Sequence, residues 1–445
     1  MSENSTKTRR RFLAGTAAAA FGLTFASAFA DCAAAEDKTN SSAALTPLEV
    51  PADGHVDESY WTKVRSHFSL DPKLTFLNNG TLGPAPDAVV QTREYYNRLL
   101  AQDPTDSFRS KELKEVRSEL AKFINAQPGE VSITHSTTEG LNIFAHGIDW
   151  KPGDEVILGD QEHFGAVEPY QTLAQRYGIK LVTVQIPIPA DSVEQLVAAY
   201  AKAFTPRTRA LVVSKVSYVT GLVAPLRELA ELAHSHGALI SVDGAQSFGV
   251  LPLDVAETGI DHFAAAGQKW LLAGTGTGVN YIRKELQAKL WPLYGYDDPS
   301  FSPAPRYERS GQLGIPAALG ISAALRFQTA IGKKNIESRA RELGRQVREG
   351  AASIPGAKLL SSSDLGLSAN INVFTVPNLP TPQTARLLEK QERIIIRGLV
   401  HGDVKALRVS THFYNTPEQV EHLFGVLSKW SRNPPDFPPE PTHAV

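Results

Sequence analysis

The chain has 445 residues, of which 42% are hydrophobic, so it can bury a large core and is not disordered throughout. Its 45 basic and 47 acidic residues give a formal net charge of -2, which offers no basic face to nucleic acid. These values exclude a disordered chain and argue against a nucleic-acid partner, and they favour a small-molecule partner.

The first 30 residues differ in character from the rest. A basic segment from Thr8 to Leu13, with consecutive arginines, precedes a run of small residues that ends at Ala28-Phe29-Ala30. This pattern resembles a bacterial twin-arginine export signal with an Ala-x-Ala cleavage site. The run is shorter and richer in alanine than a membrane-spanning helix. We expect cleavage after residue 30, a periplasmic or exported protein, and no stable membrane insertion afterwards; a disordered basic tail is the alternative.

Cys32 is the only cysteine, and it lies just beyond the expected cleavage point. Disulfides within the folded part are therefore excluded. Asp31 stands where lipoprotein signals have a small residue, which leaves lipid anchoring of Cys32 as a minor alternative. Residues 31–54, rich in Ala, Ser, Thr and Asp, are typical of a flexible linker, and residues 55–77 are expected to form an N-terminal arm.

Between residues 130 and 285, short apolar runs alternate with stretches of helical periodicity. This alternation predicts βαβ units, hence an α/β fold with a mainly parallel sheet and helices on both faces. The clearest predicted strands and helices are strands 156–158, 181–184, 211–213 and 239–242 and helices 191–204 and 225–236. We assign residues 78–315 to one large domain.

The pattern changes after residue 315. Helices are predicted at 317–329 and 334–353, followed by strands at 371–376 and 407–410. Residues 316–432 are therefore expected to form a second, smaller α+β domain. The proline-rich residues 433–445 are expected to be disordered, and no apolar run after the signal is long enough for a membrane helix.

Two ionisable residues of the large domain lie in unusual surroundings. Asp243 ends strand 239–242, where ligands bind in open α/β sheets, although an aspartate there is also a common helix cap. Lys269 lies in an apolar, glycine-flanked segment from Gly267 to Leu272, whereas lysines are normally solvated. Burial would lower the pKa of its amine and free it as a nucleophile. Read alone, Lys269 is equally consistent with a surface lysine.

A third segment begins a helix directly after the predicted strand 131–134. Ser136 and Glu139 have the spacing of a capping box. The free amides and the dipole at such a helix start bind phosphate, although many caps bind nothing. Residues 136–142 are therefore a candidate phosphate site. No cluster of His, Cys and Asp has the spacing of a metal site.

In this order and at these separations, the segments resemble the class V aminotransferases, and within them the branch named for isopenicillin-N epimerase. The resemblance runs from about His55 to Thr416. It rests on the segments Phe76 to Pro84, Ser136 to Asn142, Glu162-His163, Asp243 to Gln246, Lys269, and Leu407 to Ser410. It implies the fold of fold-type I pyridoxal 5'-phosphate (PLP) enzymes, with a seven-stranded-type sheet in a large domain and a smaller C-terminal domain.

The resemblance also implies roles for residues around the cofactor. His163 would stack on the pyridine ring, Asp243 would pair with its nitrogen, and Gln246 would donate to its phenolic oxygen. Lys269 would bind the cofactor as a Schiff base and act as the base for the substrate α-proton. Lys269, Asp243 and His163 are thus the candidate catalytic residues.

The same resemblance implies the phosphate and substrate contacts. Thr138 and the backbone of Thr137 would hold the phosphate. Arg408 would bind the substrate α-carboxylate, for which the guanidinium geometry is suited. Asn79, in the matched segment after the arm, is a further substrate-binding candidate.

Three positions depart from the family pattern. The Ser-x-His that commonly precedes the lysine is replaced by residues 266–268, where Gln268 could donate one hydrogen bond to the phosphate. Tyr218 takes the place of an asparagine near the ring and could serve the phenolic oxygen or catalysis. Where the partner subunit often offers a threonine to the phosphate, Ser310 and Gln312 are the candidate substitutes. Because such sites use both subunits, we expect a homodimer.

The family catalyses several reactions on amino acids, and the residues leave the choice open. Transamination makes the fewest demands, since Lys269 alone can move the proton, and it ranks first. Sulfur transfer through a persulfide is disfavoured because no cysteine follows Cys32. A C–S lyase remains an alternative, and so does an epimerase with Tyr218, or a tyrosine at position 294 or 296, as second acid. An exported PLP-fold protein that binds a ligand without turnover is the alternative from another class.

Overall fold

The computed structural model describes residue 50 and residues 56–106, 109–295 and 305–439. The predicted export signal, Cys32 and nearly all of the predicted linker lie outside these ranges. None of the helices in the described ranges combines the length and the apolar character of a membrane span.

The strands and helices follow one another in chain order. The strands are β1 (Thr75–Phe76), β2 (Val131–Thr134), β3 (Glu155–Gly159), β4 (Lys180–Val184), β5 (Thr208–Ser214), β6 (Leu239–Asp243), β7 (His262–Ala266), β8 (Gly278–Ile282), β9 (Lys358–Leu359), β10 (Ile371–Thr375), β11 (Ile394–Ile395), β12 (Arg397–His401) and β13 (Val404–Ser410). The α-helices are α1 (Glu58–Arg65), α2 (Asp87–Gln102), α3 (Ser110–Ile124), α4 (Thr137–Gly147), α5 (Phe164–Tyr177), α6 (Val193–Ala201), α7 (Leu226–Ser235), α8 (Val255–Thr258), α9 (Lys284–Gln287), α10 (Ile315–Ile331), α11 (Lys333–Ala352), α12 (Thr381–Leu387) and α13 (Pro417–Arg432). Short 3₁₀ or π turns occupy Pro104–Asp106, Pro128–Glu130, Pro305–Glu308 and Leu388–Glu392.

A seven-stranded sheet forms the larger part of the fold, with the strand order β2-β8-β7-β6-β5-β3-β4. The neighbours from β7 to β4 are parallel, which confirms the predicted mainly parallel sheet. Only β8 runs antiparallel to its neighbours β2 and β7. Because β8 opposes both, β2 points the same way as β7, and the carboxyl ends of β2, β3, β5, β6 and β7 meet at one edge of the sheet.

The predicted central strands are buried on both faces by helices. In β5, Leu211 and Val213 pack in one apolar cluster, together with helices α2, α3 and α7. The alternate residues Ala210 and Val212 pack in a second cluster with α4 and α5. Successive side chains of a strand point to opposite faces, so a strand covered on both sides reads as one continuous apolar run.

A smaller, antiparallel sheet has the order β12-β13-β10-β9 and packs against α11 and α13. It lies in the segment that the sequence assigns to a smaller domain. Helix α10 departs from that assignment, because Ala318, Ile321 and Leu325 pack in the large apolar cluster beside the seven-stranded sheet. The helix is apolar on several sides, so periodicity alone does not show which core it joins.

The chain ends of the described part are anchored to this smaller sheet. Trp61 of the predicted arm stacks on Phe413 with ring centroids 6.4 Å apart, and Arg65 donates to the Tyr414 carbonyl at 2.8 Å. In the predicted disordered tail, residues 434–439 form no helix or strand, yet Arg386 of α12 donates to the Pro439 carbonyl at 2.9 Å. That part of the tail therefore lies against the protein.

Candidate active site

Asp243 ends β6 at the centre of the edge where the carboxyl ends of the parallel strands meet, here called the carboxyl edge. The residue is 4% exposed. Its Oδ1 accepts the Ala245 N–H at 2.8 Å, and no other hydrogen bond from the described residues reaches the carboxylate. Burial raises the pKa of Asp243, whereas the Ala245 hydrogen bond and the positive charge of Lys269 oppose that rise. A buried carboxylate with so few donors is suited to pair with a cation.

Lys269 lies in the loop after the neighbouring strand β7 and is half-buried. Burial lowers the pKa of its amine; Asp243 raises it and Arg408 lowers it further. The backbone is tightly packed here, since a Cβ on Gly83 would collide with the Lys269 carbonyl. The loop thus holds an amine whose neutral, nucleophilic form is favoured by its surroundings.

Asn79 lies beneath this loop. Its Nδ2 donates to the Lys269 carbonyl at 3.1 Å, and its Oδ1 accepts the Tyr414 hydroxyl at 2.9 Å. The residue is 0% exposed, and both ends of its amide are engaged within the protein. It positions the lysine loop, and its role in substrate binding stays a prediction.

His163 follows β3 and caps helix α5, accepting the Gly165 N–H on Nδ1 at 3.1 Å. Burial, with the positive charges of Lys269 and Arg408, lowers the pKa of His163 to about 4. The imidazole is neutral at neutral pH, with its proton on Nε2 because Nδ1 is an acceptor. An uncharged ring at this edge is suited to cover the face of an aromatic cofactor.

The start of α4 forms the predicted phosphate cradle. Ser136 caps the helix by accepting the Glu139 N–H at 3.1 Å. The hydroxyl of Thr137 is buried and has no hydrogen-bond partner. Thr138 is exposed, and a side chain on Gly165 would meet its Oγ1 at 2.8 Å, which places Thr138 beside the first turn of α5.

Gln268 reaches the same region from the other side. Gly278 pairs with Ala266 in the sheet, and a Cβ on Gly278 would meet the Ser136 nitrogen at 2.8 Å. The loop with Gln268 and the start of α4 are thus neighbours. The Gln268 Oε1 is buried without a partner, so the amide has unused hydrogen-bonding capacity at the place where the family pattern has Ser-x-His.

Gln246 is already engaged within the protein. Its Nε2 donates to the Gly80 carbonyl at 3.0 Å, and its Oε1 accepts the Trp270 indole N–H at 2.9 Å. One amide proton remains for the predicted bond to a phenolic oxygen. The residue ties the segment after β1 to the lysine loop in addition to its predicted role.

Arg408 projects from β13 and is 4% exposed. Its guanidinium donates to the Tyr218 carbonyl at 3.1 Å and to the Thr81 hydroxyl at 3.2 Å, while its Nε is buried without a partner. No carboxylate of the described residues pairs with it. Burial, followed by the charge of Arg397, lowers its pKa to about 10, so the group stays charged at neutral pH. A buried, unneutralised guanidinium is suited to bind a carboxylate.

Tyr218 follows β5, and its hydroxyl lies 2.6 Å from Nδ1 of His401. The other ring nitrogen of His401, Nε2, lies 2.7 Å from the carbonyl oxygen of Asp160. Burial raises the pKa of the Tyr218 phenol, and the charge of Arg408 opposes that rise. Sequence reasoning did not find His401, because it joins the site from the smaller sheet, far from Tyr218 in the chain.

Glu162, adjacent to His163, belongs to the matched segment without an assigned role. Its carboxyl accepts the Ser214 hydroxyl at 2.5 Å, and burial raises its pKa to about 8. Being protonated at neutral pH, it adds no negative charge beside Asp243. Glu162 therefore does not neutralise the positive charge of Arg408.

Ser310 and Gln312 stand apart from this arrangement. Both are exposed, and neither makes a hydrogen bond to any of the site residues above. Within one chain they are not part of the site. Their predicted phosphate contacts would have to be made in another copy of the protein. Tyr294 is also exposed, and residue 296 lies outside the described ranges.

The chain is similar in sequence to known proteins over most of its length. The family described as class V aminotransferases matches residues 75–423. Isopenicillin N epimerase from Amycolatopsis lactamdurans is 32% identical over 397 residues, covering 84% of this chain and 99% of that protein. The Streptomyces clavuligerus enzyme of the same name is 30% identical, with coverages of 82% and 97%. A probable cysteine desulfurase from Pyrococcus abyssi is 29% identical, with coverages of 82% and 96%.

Solved structures are similar over the same extent. A C-DES mutant with glycine covalently linked to the PLP cofactor has a TM-score of 0.75 at 25% identity, covering 82% of this chain and 98% of that one. The cystine C–S lyase C-DES in complex with cysteine persulfide has a TM-score of 0.74 at 25% identity, covering 83% and 99%. The predicted fold-type I architecture is confirmed.

Proposed function

Because the chain belongs to the class V aminotransferase family of PLP-dependent enzymes, we propose that it removes the α-proton of an amino acid and inverts the configuration at that carbon. The observation that carries the amino-acid substrate is the buried guanidinium of Arg408, which lies near Lys269 and has no carboxylate partner among the described residues. A charge held in this way is costly unless a ligand neutralises it.

The residues present fit the cofactor. Asp243 is a buried carboxylate with one hydrogen bond, which suits a protonated pyridine nitrogen. The Thr137 hydroxyl is buried without a partner, so it can donate to a phosphate. The unpartnered atom of Gln268 is its Oε1, an acceptor, so only the amide nitrogen of that side chain could serve the phosphate. Lys269 is the attachment point, and the neutral ring of His163 would cover the pyridine. When bound, PLP supplies an electron sink for the electrons left when a bond to the α-carbon breaks.

Arg408 fixes the substrate by its carboxylate. The backbone carbonyl of Tyr218 and the hydroxyl of Thr81 hold the guanidinium from one side, and Nε remains to donate to a ligand. A carboxylate bound here gains charge-assisted hydrogen bonds in a region from which water is largely excluded. Amides and esters of amino acids, which lack a free α-carboxylate, are therefore expected to bind poorly.

Lys269 accepts the α-proton on Nζ. Burial lowers the pKa of the amine, which increases the fraction of neutral base near neutral pH. The hydrogen bond from the Asn79 side chain to the Lys269 backbone carbonyl keeps the loop in place while the Lys269 side chain moves between attachment and proton transfer.

Inversion ranks first because the relatives at 30% identity or above carry the name of an epimerase and match over nearly their full length. Transamination, which the sequence alone favours, is the second candidate, since it needs Lys269 as its only proton carrier. β-Elimination is supported by similarity to a protein named as a cystine C–S lyase. Sulfur transfer through a protein persulfide is disfavoured because Cys32 is the only cysteine.

The deciding experiment incubates the PLP-loaded protein in D₂O with the L- and D-forms of alanine, methionine, glutamate and lysine, and with cystine. Chiral chromatography and mass spectrometry then measure deuterium at the α-carbon, the opposite enantiomer, keto acids and persulfides. Inversion with deuterium uptake is the expected result. Keto acid or persulfide as the main product would replace the proposal by the corresponding alternative, and no α-exchange with any of these compounds would contradict it.

Lys269→Ala is expected to abolish exchange and the visible absorbance of the bound cofactor. Lys151→Ala is the matched control, because Lys151 is an exposed lysine paired only with Asp149 at the surface. Retention of α-exchange in Lys269→Ala, with wild-type behaviour in the control, would remove Lys269 from its role.

We further propose that two copies form the functional unit and that the protein is exported. Ser310 and Gln312 are exposed and apart from the cradle of their own chain, as residues that serve a partner's phosphate would be. Light scattering of the purified protein tests the dimer, and a monomer with full cofactor occupancy would contradict it. The export proposal rests on the sequence before residue 31.

A further inference from the structure

Two groups able to exchange a proton flank Asp243 along the carboxyl edge. Lys269 follows β7 and Tyr218 follows β5, and these strands lie on opposite sides of β6, which ends at Asp243. We propose that Tyr218, hydrogen-bonded to His401, is the second proton-transferring residue of the site and acts from the side opposite Lys269. The inference rests on the proposed function and deepens it, because inversion requires proton delivery to the face from which no proton was removed.

The hydrogen bonds of His401 show which of its ring nitrogens carries the proton and which group donates in its contact with Tyr218. A backbone carbonyl can only accept, so the contact with the Asp160 carbonyl requires the proton of His401 on Nε2. In the neutral imidazole, Nδ1 is then an acceptor, and the Tyr218 hydroxyl donates to it at 2.6 Å. The Tyr218 phenol thus donates to an imidazole whose orientation is fixed. A histidine activates a neighbouring hydroxyl in the same way in nucleophilic catalysis.

The phenol is held in place from several directions. Its ring meets the His163 ring edge-to-face, with centroids 5.1 Å apart, and its backbone carbonyl accepts a hydrogen bond from Arg408. The turn that follows is fixed by Ser217, whose hydroxyl accepts the Val219 N–H at 3.1 Å. Tyr218 is therefore tied through its ring to the His163 ring expected over the cofactor, and through its backbone to the group that binds the carboxylate.

Lys269, Tyr218 and water account for every proton that inversion moves. In one direction the α-carbon loses its proton to Nζ of Lys269. It gains one from the Tyr218 hydroxyl, which turns away from Nδ1 of His401 and whose O–H bond then breaks. In the other direction the Tyr218 oxygen takes the α-proton, with its own proton held by His401, and Lys269 delivers one. Burial raises the pKa of the Tyr218 phenol, so the phenol keeps its proton before the transfer step. The nearby positive charge of Arg408 lowers that pKa and stabilises the phenolate formed after the transfer. Exchange with water restores both groups.

The first test separates this role from the proposed function by using isotope exchange. In D₂O, Tyr218→Phe, which keeps the ring contact with His163, is expected to exchange the α-proton of the enantiomer that Lys269 deprotonates at close to the wild-type rate. Exchange of the opposite enantiomer and inversion should fall by about 10²–10⁴-fold. Inversion at the wild-type rate would overturn the proposal, as would an equal loss of exchange for both enantiomers. Absence of exchange in the unmodified enzyme would instead contradict the proposed function.

His401 is assigned as a positioning residue, and its test does not rely on turnover alone. His401→Asn keeps an acceptor for the Tyr218 hydroxyl and should retain more inversion than His401→Ala. In the cofactor-free protein, ¹⁵N NMR of the His401 imidazole should show the Nε2-protonated tautomer, with an Nδ1 resonance that shifts in Tyr218→Phe. The Nδ1-protonated tautomer, or an Nδ1 resonance unaffected by Tyr218→Phe, would overturn the proposal whether or not a substrate has been found.

Discussion

The side chain of Asn79 joins the Lys269 carbonyl, at 3.1 Å, to the Tyr414 hydroxyl, at 2.9 Å, and is completely buried. The residue thus connects the segment after β1, the lysine loop and the chain after β13. Through this pair of bonds, Asn79 contributes to the position of Lys269.

Asn79→Ala is expected to lower the free energy of unfolding by about 1–3 kcal/mol, because it leaves the Lys269 carbonyl and the Tyr414 hydroxyl buried without partners. Urea unfolding of the cofactor-free protein measures this. Tyr414→Phe is the matched comparison, since it removes one of the two bonds and should cost less. Equal stability of Asn79→Ala and the wild type would show that the bonds contribute nothing.

Arg408→Gln is expected to reduce kcat/KM for amino acids by about 10- to 150-fold, the usual effect of losing a hydrogen bond to a charged group, at about 1.5–3 kcal/mol. The ratio of kcat/KM for an amino acid to that for its amide should collapse, because Arg408 is the group that recognises the carboxylate. The visible absorbance of the cofactor should persist. Arg345→Gln, at an exposed arginine on α11, serves as control. An unchanged preference for the acid over the amide would exclude Arg408 as the carboxylate site.

Glu162→Gln is expected to change how stability depends on pH. The carboxyl has a pKa of about 8 in the folded protein, against an ordinary value near 4.5. Between these values the folded state holds a proton that the unfolded state releases, so the wild type loses stability as pH rises through this window, with a slope approaching ~1.4 kcal/mol per pH unit. The variant lacks this loss and can still accept the Ser214 hydrogen bond.

Urea unfolding of the cofactor-free proteins from pH 5 to pH 8 measures the difference. Glu162→Gln should gain stability relative to the wild type as pH rises. Glu168→Gln, at an exposed position on α5, should give a curve parallel to that of the wild type. If the Glu162→Gln curve is also parallel, the carboxyl is ionised in the folded protein.

The sequence predicts most of the large sheet because its central strands are short apolar runs that can be recognised from neighbouring residues alone. The functional residues that directly follow those runs can be recognised in the same way. Asp243 directly follows an apolar run, and an ionisable side chain after such a run falls at the carboxyl edge of a parallel sheet. The strand β7, which contains His262 and three alanines, and its antiparallel partner β8 give no such signal. The place of β8 depends on its pairing with β2, which lies far from it in the chain.

The same limit applies to the site. His401 belongs to a different sheet from Tyr218, and only the folded chain brings the imidazole to the phenol. The burial of Asn79 likewise depends on packing against Tyr414, which lies beyond β13. Resemblance to a family transfers roles to matching positions, and Tyr218 is a position where this chain departs from the family, so its hydrogen-bond partner could not be transferred.

Thr137→Val is expected to weaken cofactor binding, because the buried Thr137 hydroxyl has no partner in the protein and is suited to donate to the phosphate. The dissociation constant for PLP should rise by about 10- to 150-fold, and Thr137→Ser should restore most of the affinity. Titration of the cofactor-free protein, followed by its visible absorbance, measures both. Equal affinities of Thr137→Val and the wild type would place the phosphate elsewhere.

Replacement of Arg9 and Arg10 together by lysine is expected to retain the protein in the cytoplasm of its bacterial host. The twin arginines are the feature that the export route reads, whereas Arg11→Lys leaves the pair intact and should be exported normally. Fractionation and immunoblotting measure the distribution, and a size reduction corresponding to residues 1–30 should accompany export. Because this route transports folded proteins, the exported wild type should already contain PLP when the periplasmic fraction is isolated. Cytoplasmic wild-type protein of full length, or equal export of the double-lysine variant, would contradict the prediction.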